Sequence, residues 1–401
     1  MTTQSTHPYH LIVKPVGAKC NLDCNYCYYL RKEERYEPNA TMQMSEAVLE
    51  TYTKQYIESQ PQQAKHIEFS WQGGEPTLRG LDFFKKAVEL QQKYARPGMT
   101  ITNNFQTNGT LINDRWAAFF KENNFLIGIS IDGSEKNHNS TRPDIKGNDS
   151  LHLTLRGLEA LKKYDVAFNT LSVVHNENAH LAKETYQELK DLGSTVIQFQ
   201  PCVEHPSDQR SDKDWSLTPQ QWGHFLCDVF DQWKKEDVGK IHIQFFENTL
   251  GILAGQPSQM CFHSELCGQQ MMLEHDGSLY SCDHYSYDEY QVGHMTPANI
   301  DSNLIDSIDL GAIACSDRQK EFGTNKWTTL PQQCRKCHFR PFCNGGCPKD
   351  RTAITADLEP GLNHLCVGYK QFFLYSMPYF GAMLEAIQQG HSAAMYPIFL
   401  K

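Results

Sequence analysis

Three cysteines stand close together near the amino terminus, in Cys20-Asn-Leu-Asp-Cys24-Asn-Tyr-Cys27. Thiolates spaced in this way on a loop can wrap one iron–sulfur cubane, filling three irons of a 4Fe-4S cluster and leaving the fourth without a protein ligand. A cluster that must bind a small molecule directly needs such an open corner. The same spacing also suits a zinc site completed by a distant ligand, or buried thiols that merely lie near one another. A second array occupies the carboxyl-terminal third: Cys261, then Cys267-x9-Gly277-x4-Cys282, then Cys334-x2-Cys337-x5-Cys343-x3-Cys347, then Cys366. Eight cysteines suffice for two complete cubanes, with a double zinc ribbon as the alternative. Cys202, Cys227 and Cys315 are left over and read as small buried hydrophobes.

The elements that must hold these residues are legible in the pattern between them. From Tyr9 to about Gln200 short β-branched or aromatic runs alternate with amphipathic stretches, which specifies parallel strands joined by helical crossovers. The expected strands are His10–Lys14, His66–Trp71, Thr100–Gln106, Leu126–Ile131, Ala167–Val174 and Thr195–Gln200. The expected helices are Ser45–Glu58, Leu81–Tyr94, Asn113–Glu122, Asp149–Tyr164 and Asn178–Leu192, with Ser45, Asn113 and Asp149 as amino-terminal caps and Gly193 ending the last. Reactive groups should gather at the carboxyl ends of the strands. The composition turns polar around His205–Trp215. After a helix near Pro219–Lys234 the alternation is expected to stop, with a boundary in Asp212–Gly239. Val367–Gln388 reads as an aromatic-rich helix broken or kinked at Pro378.

Bulk composition narrows the function classes. The 401 residues are 40% hydrophobic and 21% charged, as in a folded globular protein. A net charge of −10 and a pI near 5.9 argue against a nucleic-acid partner. The polar start, Met1 to His10, lacks the apolar core of a signal peptide, and no stretch is long enough to span a membrane, so a cytoplasmic protein is expected. Fourteen cysteines in such a chain point to metal ligation rather than disulfides.

The first cysteine cluster resembles the signature of the radical S-adenosylmethionine (SAM) enzymes. That resemblance implies a partial (β/α)6 TIM-like barrel in residues 1–235, with SAM bound at the cluster of Cys20, Cys24 and Cys27. Tyr26 then lies beside the adenine. Gln72-Gly73-Gly74-Glu75-Pro76, after the second strand, holds the methionine amino group, its glycines letting backbone approach the ligand closely. Ser130, in Ser130-Ile-Asp132-Gly133, contacts the methionine moiety. Arg156 pairs with its carboxylate, with Arg142 as the competing candidate. The second array is similar to the SPASM extension of radical SAM enzymes, which makes 236–401 a domain with two auxiliary 4Fe-4S clusters. The family's crossed ligation would put Cys261, Cys267, Cys282 and Cys347 on the nearer cluster, and Cys334, Cys337, Cys343 and Cys366 on the farther one. Both would be fully ligated and so pass electrons rather than bind substrate.

Within that superfamily the chain resembles the anaerobic sulfatase-maturating enzymes over nearly its full length. The resemblance rests on Lys14-Pro15, Cys27-Tyr28-Tyr29, Gln72-Gly-Gly-Glu-Pro-Thr-Leu78, Gln198-Phe-Gln-Pro-Cys202, Cys282-Asp283 and Phe342-Cys343-Asn-Gly-Gly-Cys347-Pro348. It implies oxidation of a cysteine or serine in a sulfatase Cys/Ser-x-Pro-x-Arg sequence to Cα-formylglycine under anaerobic conditions. A 5′-deoxyadenosyl radical would take a hydrogen from the target β-carbon; loss of a proton and an electron would follow. Asp283 is assigned the base, and Tyr29 the positioning of the target side chain. An acid in a cysteine loop is otherwise an ordinary turn former. His275 and His284, nearby, read as exposed loop histidines.

The implied partners are a sulfatase polypeptide and an electron donor such as flavodoxin or ferredoxin, acting on a monomer. A rival within the same chemistry is a maturase that crosslinks a ribosomal peptide. Such enzymes often carry an amino-terminal peptide-binding domain, and the stretch before His10 is too short for one. A rival from another class is a zinc-stabilised binding protein without catalysis, which would be colourless where three cubanes give a brown protein.

Overall fold

The structure is a computed structural model and describes residues 2–37, 40–205, 213–295 and 308–400. Residues 206–212, which carry part of the polar stretch and the start of the expected boundary, lie outside the described residues. Strands and helices alternate from the start: β1 (His10–Val13), α1 (Glu46–Ser59), β2 (His66–Trp71), α2 (Leu81–Tyr94), β3 (Thr100–Thr107), α3 (Asp114–Glu122) and β4 (Phe125–Ser130). There follow α4 (Glu135–Thr141), α5 (Leu151–Lys163), β5 (Phe168–Val174), α6 (Ala182–Asp191), β6 (Val196–Pro201) and α7 (Pro219–Glu236). The remainder holds β7 (His242–Ile243), α8 (Gln244–Leu253), β8 (Gln270–Leu273), β9 (Ser278–Tyr280), β10 (Gln291–His294), α9 (Leu310–Ala314) and α10 (Asp317–Thr328). It closes with α11 (Gln332–Arg335), α12 (Arg340–Cys343), the hairpin strands β11 (Ala353–Ile354) and β12 (Pro360–Leu362), and α13 (Cys366–Gln388). This is the expected α/β architecture with its parallel strands.

Local chemistry sets the helix ends. Ser45 accepts from the Val48 amide at 3.2 Å and opens α1. Asn113 accepts from the Arg115 and Trp116 amides at the start of α3. Thr218 and Gln221 form a reciprocal capping box around Pro219 at the start of α7. Asp149, expected as a cap, is not one: α5 starts at Leu151 after Ser150, whose hydroxyl donates instead to the Arg142 carbonyl at 2.5 Å. Gly193, with φ +80°, ends α6 as expected. Nor does the alternation stop after α7, since β7 pairs in parallel with β6 and leads into α8. α13 runs unbroken through Pro378.

The chain forms two compact units that interleave along the sequence. The first comprises Met1–Ile129, Arg142–Phe168 and Cys267–Thr324. Its strands β1 to β4 pair in parallel in chain order. On the other side of β1 lies β8, also parallel, and β9 and β10 continue antiparallel from it. The cysteine-rich region therefore adds strands to the sheet that carries the first cysteine loop. Tyr52, Phe69, Trp71, Phe84 and Phe105 form the centre of its core, in edge-on and stacked ring contacts under α1 and α2.

The second unit comprises Ser130–Thr141, Asn169–Leu266 and Asn325–Lys401. Here β5, β6 and β7 pair in parallel. α7 and α13 cross closely where Gly223 meets Gly368: a Cβ on Gly368 would stand 2.2 Å from the Pro219 carbonyl oxygen. Phe230, Phe246, Phe372 and Phe380 fill the space beside that crossing. Among the described residues no helix is long and apolar enough to cross a membrane.

Candidate active site

In the first unit the cysteine loop leaves the carboxyl end of β1 and closes on itself, the Cys27 amide donating to the Cys24 carbonyl at 3.1 Å. It is tied down by the Asp23 amide on the Pro143 carbonyl at 2.8 Å. Burial pushes the Cys20 thiol upward, with further contributions from Glu75, Cys24 and Cys27. The three sulfurs thus share one neighbourhood, and Asn108 Nδ2 and the Leu22 amide already point at Cys20 Sγ from 3.7 and 3.4 Å. Three thiols in one neighbourhood, with N–H donors aimed at the sulfur of Cys20, fit a cubane with one open iron.

The turn after β2 docks on this loop. The Gly74 and Glu75 amides donate to the Gly17 and Lys19 carbonyls at 2.8 and 2.9 Å. A Cβ on Gly74 would stand 2.0 Å from the Lys19 oxygen, so only glycine permits this approach. The close approach that Gly74 permits here is to the segment leading into the cysteine loop. Gln72 ends β2 half-buried, its amide on the Val13 carbonyl at 2.9 Å. Glu75 is wholly buried under the turn. Its Oε1 accepts from the Thr77 amide, the Thr77 hydroxyl and the Thr107 hydroxyl, and its Oε2 from the Asn108 amide. Burial nevertheless keeps this carboxyl above its usual range. Glu75 anchors the turn, and its carboxylate is already engaged within the protein.

Tyr26 is half-buried, with the Arg142 guanidinium 5.4 Å from its ring centre. Arg142 is buried, whereas Arg156 is exposed on α5 and donates to the Thr110 carbonyl at 3.2 Å. Ser130 ends β4 and belongs to the second unit.

Asp283 follows Cys282 just beyond β9 and is 8% exposed. Lys14, itself 2% exposed at the end of β1, brings Nζ to 2.6 Å from Asp283 Oδ1. The Tyr28 hydroxyl donates to Oδ2 at 2.7 Å. Burial alone would raise the Asp283 carboxyl, but the charges of Lys14 and His284 and the bonds from Lys14 and Tyr28 hold it below the usual carboxylate range. Lys14 also lies 4.3 Å from the centre of the Tyr29 ring. The Tyr29 hydroxyl donates to Glu274, whose other oxygen is 3.3 Å from His275 Nδ1. His275 is buried rather than exposed, packed edge-on against Tyr36. His284 lies edge-on to Tyr28.

Sequence reasoning missed Lys14, Tyr28 and Glu274 as members of this network. A lysine directly after the buried run Leu11-Ile12-Val13, at the end of a strand where reactive groups gather, was the available signal.

None of the fourteen cysteines is paired in a disulfide. In the second unit Cys334, Cys337, Cys343 and Cys366 line one small cavity with Phe339 and Tyr369. Burial raises the Cys334 thiol to about 11 and the Cys343 thiol to about 12, and the neighbouring cysteines add to both. Among the described residues no three His, Cys, Asp or Glu side chains converge as one metal ion requires. The four thiols instead surround a volume, and that donor set fits a fully ligated cubane. The cysteines expected on the nearer auxiliary cluster divide between the units, Cys267 and Cys282 in the first, Cys261 and Cys347 in the second. The Cys267 amide is held by Gly323, and the Cys261 carbonyl by the buried Lys326. Of the remaining cysteines, Cys202 is buried, Cys227 is half-buried, and Cys315 is half-buried against Ser5 and Thr6.

Comparison with known proteins identifies the family. The radical SAM superfamily model matches residues 15–189. A serine-type anaerobic sulfatase-maturating enzyme of Bacteroides thetaiotaomicron is 42% identical, over 96% of this chain and 94% of its own length. A cysteine-type enzyme of Clostridium perfringens is 33% identical, over 92% of this chain and 97% of its own length. The solved structure of native anSMEcpe with bound AdoMet and Kp18Cys peptide superposes with a TM-score of 0.82 at 33% identity, covering 94% of this chain and 99% of that one. This chain belongs to the anaerobic sulfatase-maturating enzymes of the radical SAM superfamily.

Proposed function

We propose that this enzyme oxidises a cysteine or serine in a sulfatase Cys/Ser-x-Pro-x-Arg segment to Cα-formylglycine, with Asp283 as the base. In functional terms residues 1–235 generate the radical, and 236–401 carry the auxiliary clusters that take the second electron. When bound, SAM and the cluster on Cys20, Cys24 and Cys27 supply the radical that removes a hydrogen atom from the target β-carbon.

The observation that carries the reading is the buried carboxylate of Asp283, beside Cys282 and held ionised by Lys14 and Tyr28. An ionised acid fixed at both oxygens can take the thiol or hydroxyl proton of the target without first reorganising. Tyr29 acts as a positioning residue, since its hydroxyl is engaged by Glu274 and its ring carries Lys14. Tyr26 supports the adenine, and Gln72, Gly73 and Gly74 frame the methionine end, braced from below by Glu75. Ser130 and one arginine hold the methionine moiety. Arg142, buried against Tyr26, is the stronger candidate over the exposed Arg156.

The test is incubation of the reduced enzyme with SAM and with paired Cys- and Ser-containing sulfatase peptides, read by mass spectrometry. Aldehyde at the target residue of either peptide is the expected product. A thioether crosslink, or SAM cleavage with an unmodified peptide, would refute the reading.

A further inference from the structure

SAM cleavage takes in one electron and substrate oxidation releases one, and the second unit carries a face suited to exchanging that electron with a carrier protein. From Asn325 to Lys349 the chain has no Asp or Glu, although overall its 47 acids outnumber its 37 lysines and arginines. Around Cys337 this stretch exposes Arg335, Lys336 and His338, and Lys370 reaches the edge of the four-thiol cavity. A basic patch on an acidic protein steers an acidic partner to one place.

The β11–β12 hairpin stands beside that patch. Its Glu359 carboxylate accepts from the Gln332 amide at 2.8 Å, which occupies one of the hairpin's two acids and leaves Asp357 at the turn. The hairpin presents Ile354 and Leu358, 62% and 82% exposed. Leu358 has φ +62° and closes the turn by its amide on the Thr355 carbonyl at 3.0 Å. Glycine would take that left-handed backbone without strain. Folding alone gives no reason to hold a large apolar side chain there in solvent, whereas a partner that covers it does.

We propose that this face, a basic rim with an apolar tip beside the four thiols, docks an acidic one-electron carrier protein. The carrier accepts the electron released when the substrate is oxidised, so the inference rests on the function proposed above. The balance closes: the Cβ hydrogen atom passes to the 5′-deoxyadenosyl radical, the thiol or hydroxyl proton to Asp283, and the one remaining electron reduces the oxidised carrier by one electron. Electron-transfer partners characteristically use small, charge-steered interfaces of this kind.

The test uses the cluster-loaded full chain, reduced with dithionite and mixed with oxidised flavodoxin in a stopped-flow instrument at several salt concentrations. A parallel titration reads flavodoxin binding to the same protein without turnover. Lys336→Glu is expected to slow cluster reoxidation and weaken binding by about 10-fold at low salt, and to flatten the salt dependence. Leu358→Gly is expected to weaken both by about 3-fold while leaving the thermal midpoint unchanged or higher, because glycine relieves the turn. Iron content and formylglycine yield with dithionite should stay at wild-type levels in both variants. Wild-type-like binding and reoxidation in both variants would overturn the docking face. A wild-type enzyme that makes no formylglycine would overturn the underlying function instead, by a separate readout.

Discussion

The Asp283 neighbourhood is buried and the four-thiol cavity largely so, yet they meet the loss of solvent in opposite ways. Around Asp283 the charges are already matched: Lys14 on one oxygen, Tyr28 on the other, and the Tyr29 ring beneath the ammonium. The cavity of Cys334, Cys337, Cys343 and Cys366 is walled by aromatic rings, and burial drives its thiols toward the neutral form. Thiolates there need a metal centre to replace lost solvation, so loading the cluster is coupled to proton release and to the stability of this region. The acid region is preorganised by the polypeptide alone, while the thiol region is completed by its cofactor.

Four changes test that contrast, in order of expected effect. Cys343→Ala should remove one whole cluster, about 4 of about 12 irons per chain, with a lowered thermal midpoint; full iron content would show that Cys343 is not a ligand. Asp283→Asn should retain all clusters and still cleave SAM while formylglycine yield falls by about 10³-fold, within the range for loss of a positioned base. Unchanged aldehyde yield would remove Asp283 from the mechanism.

Lys14→Met should destabilise the protein by about 3–5 kcal/mol, because it strands the buried carboxylate. The double variant Lys14→Met/Asp283→Asn should recover much of that stability and none of the activity. Midpoints that fall additively would mean the two residues are not coupled. Tyr28→Phe, which removes one bond to a charged acceptor, should be mildest, with a fall in formylglycine yield of about 10-fold. A larger loss than that of Lys14→Met would reverse the ranking of the two supports.

Much of the scaffold was readable because its signals are local. The expected strands appear within a residue or so of their bounds, since each is a four- to eight-residue run bounded by turn residues, alternating in burial in β2 and almost continuously buried in β1 and β4. The caps at Ser45 and Asn113 were legible for the same reason. Asp149 failed because the helix starts later than expected, at Leu151, which puts Ser150 in the cap position, where its hydroxyl is drawn to the Arg142 carbonyl. β7, β8, β9 and β10 escaped notice because two to four residues carry no readable period.

The sequence by itself carried the cofactor chemistry through the family its motifs resemble, whereas cysteine spacing alone admits iron–sulfur clusters and zinc alike. Only the tertiary structure decided how Asp283 is held. Parallel pairing of β1 with β8, Val13 opposite Leu273, brings Lys14 and Glu274 side by side. The turn back through β9 then delivers Cys282 and Asp283 to the same place. An ion pair between residues so far apart in the chain has no local signature, because the strand register that creates it depends on the whole sheet.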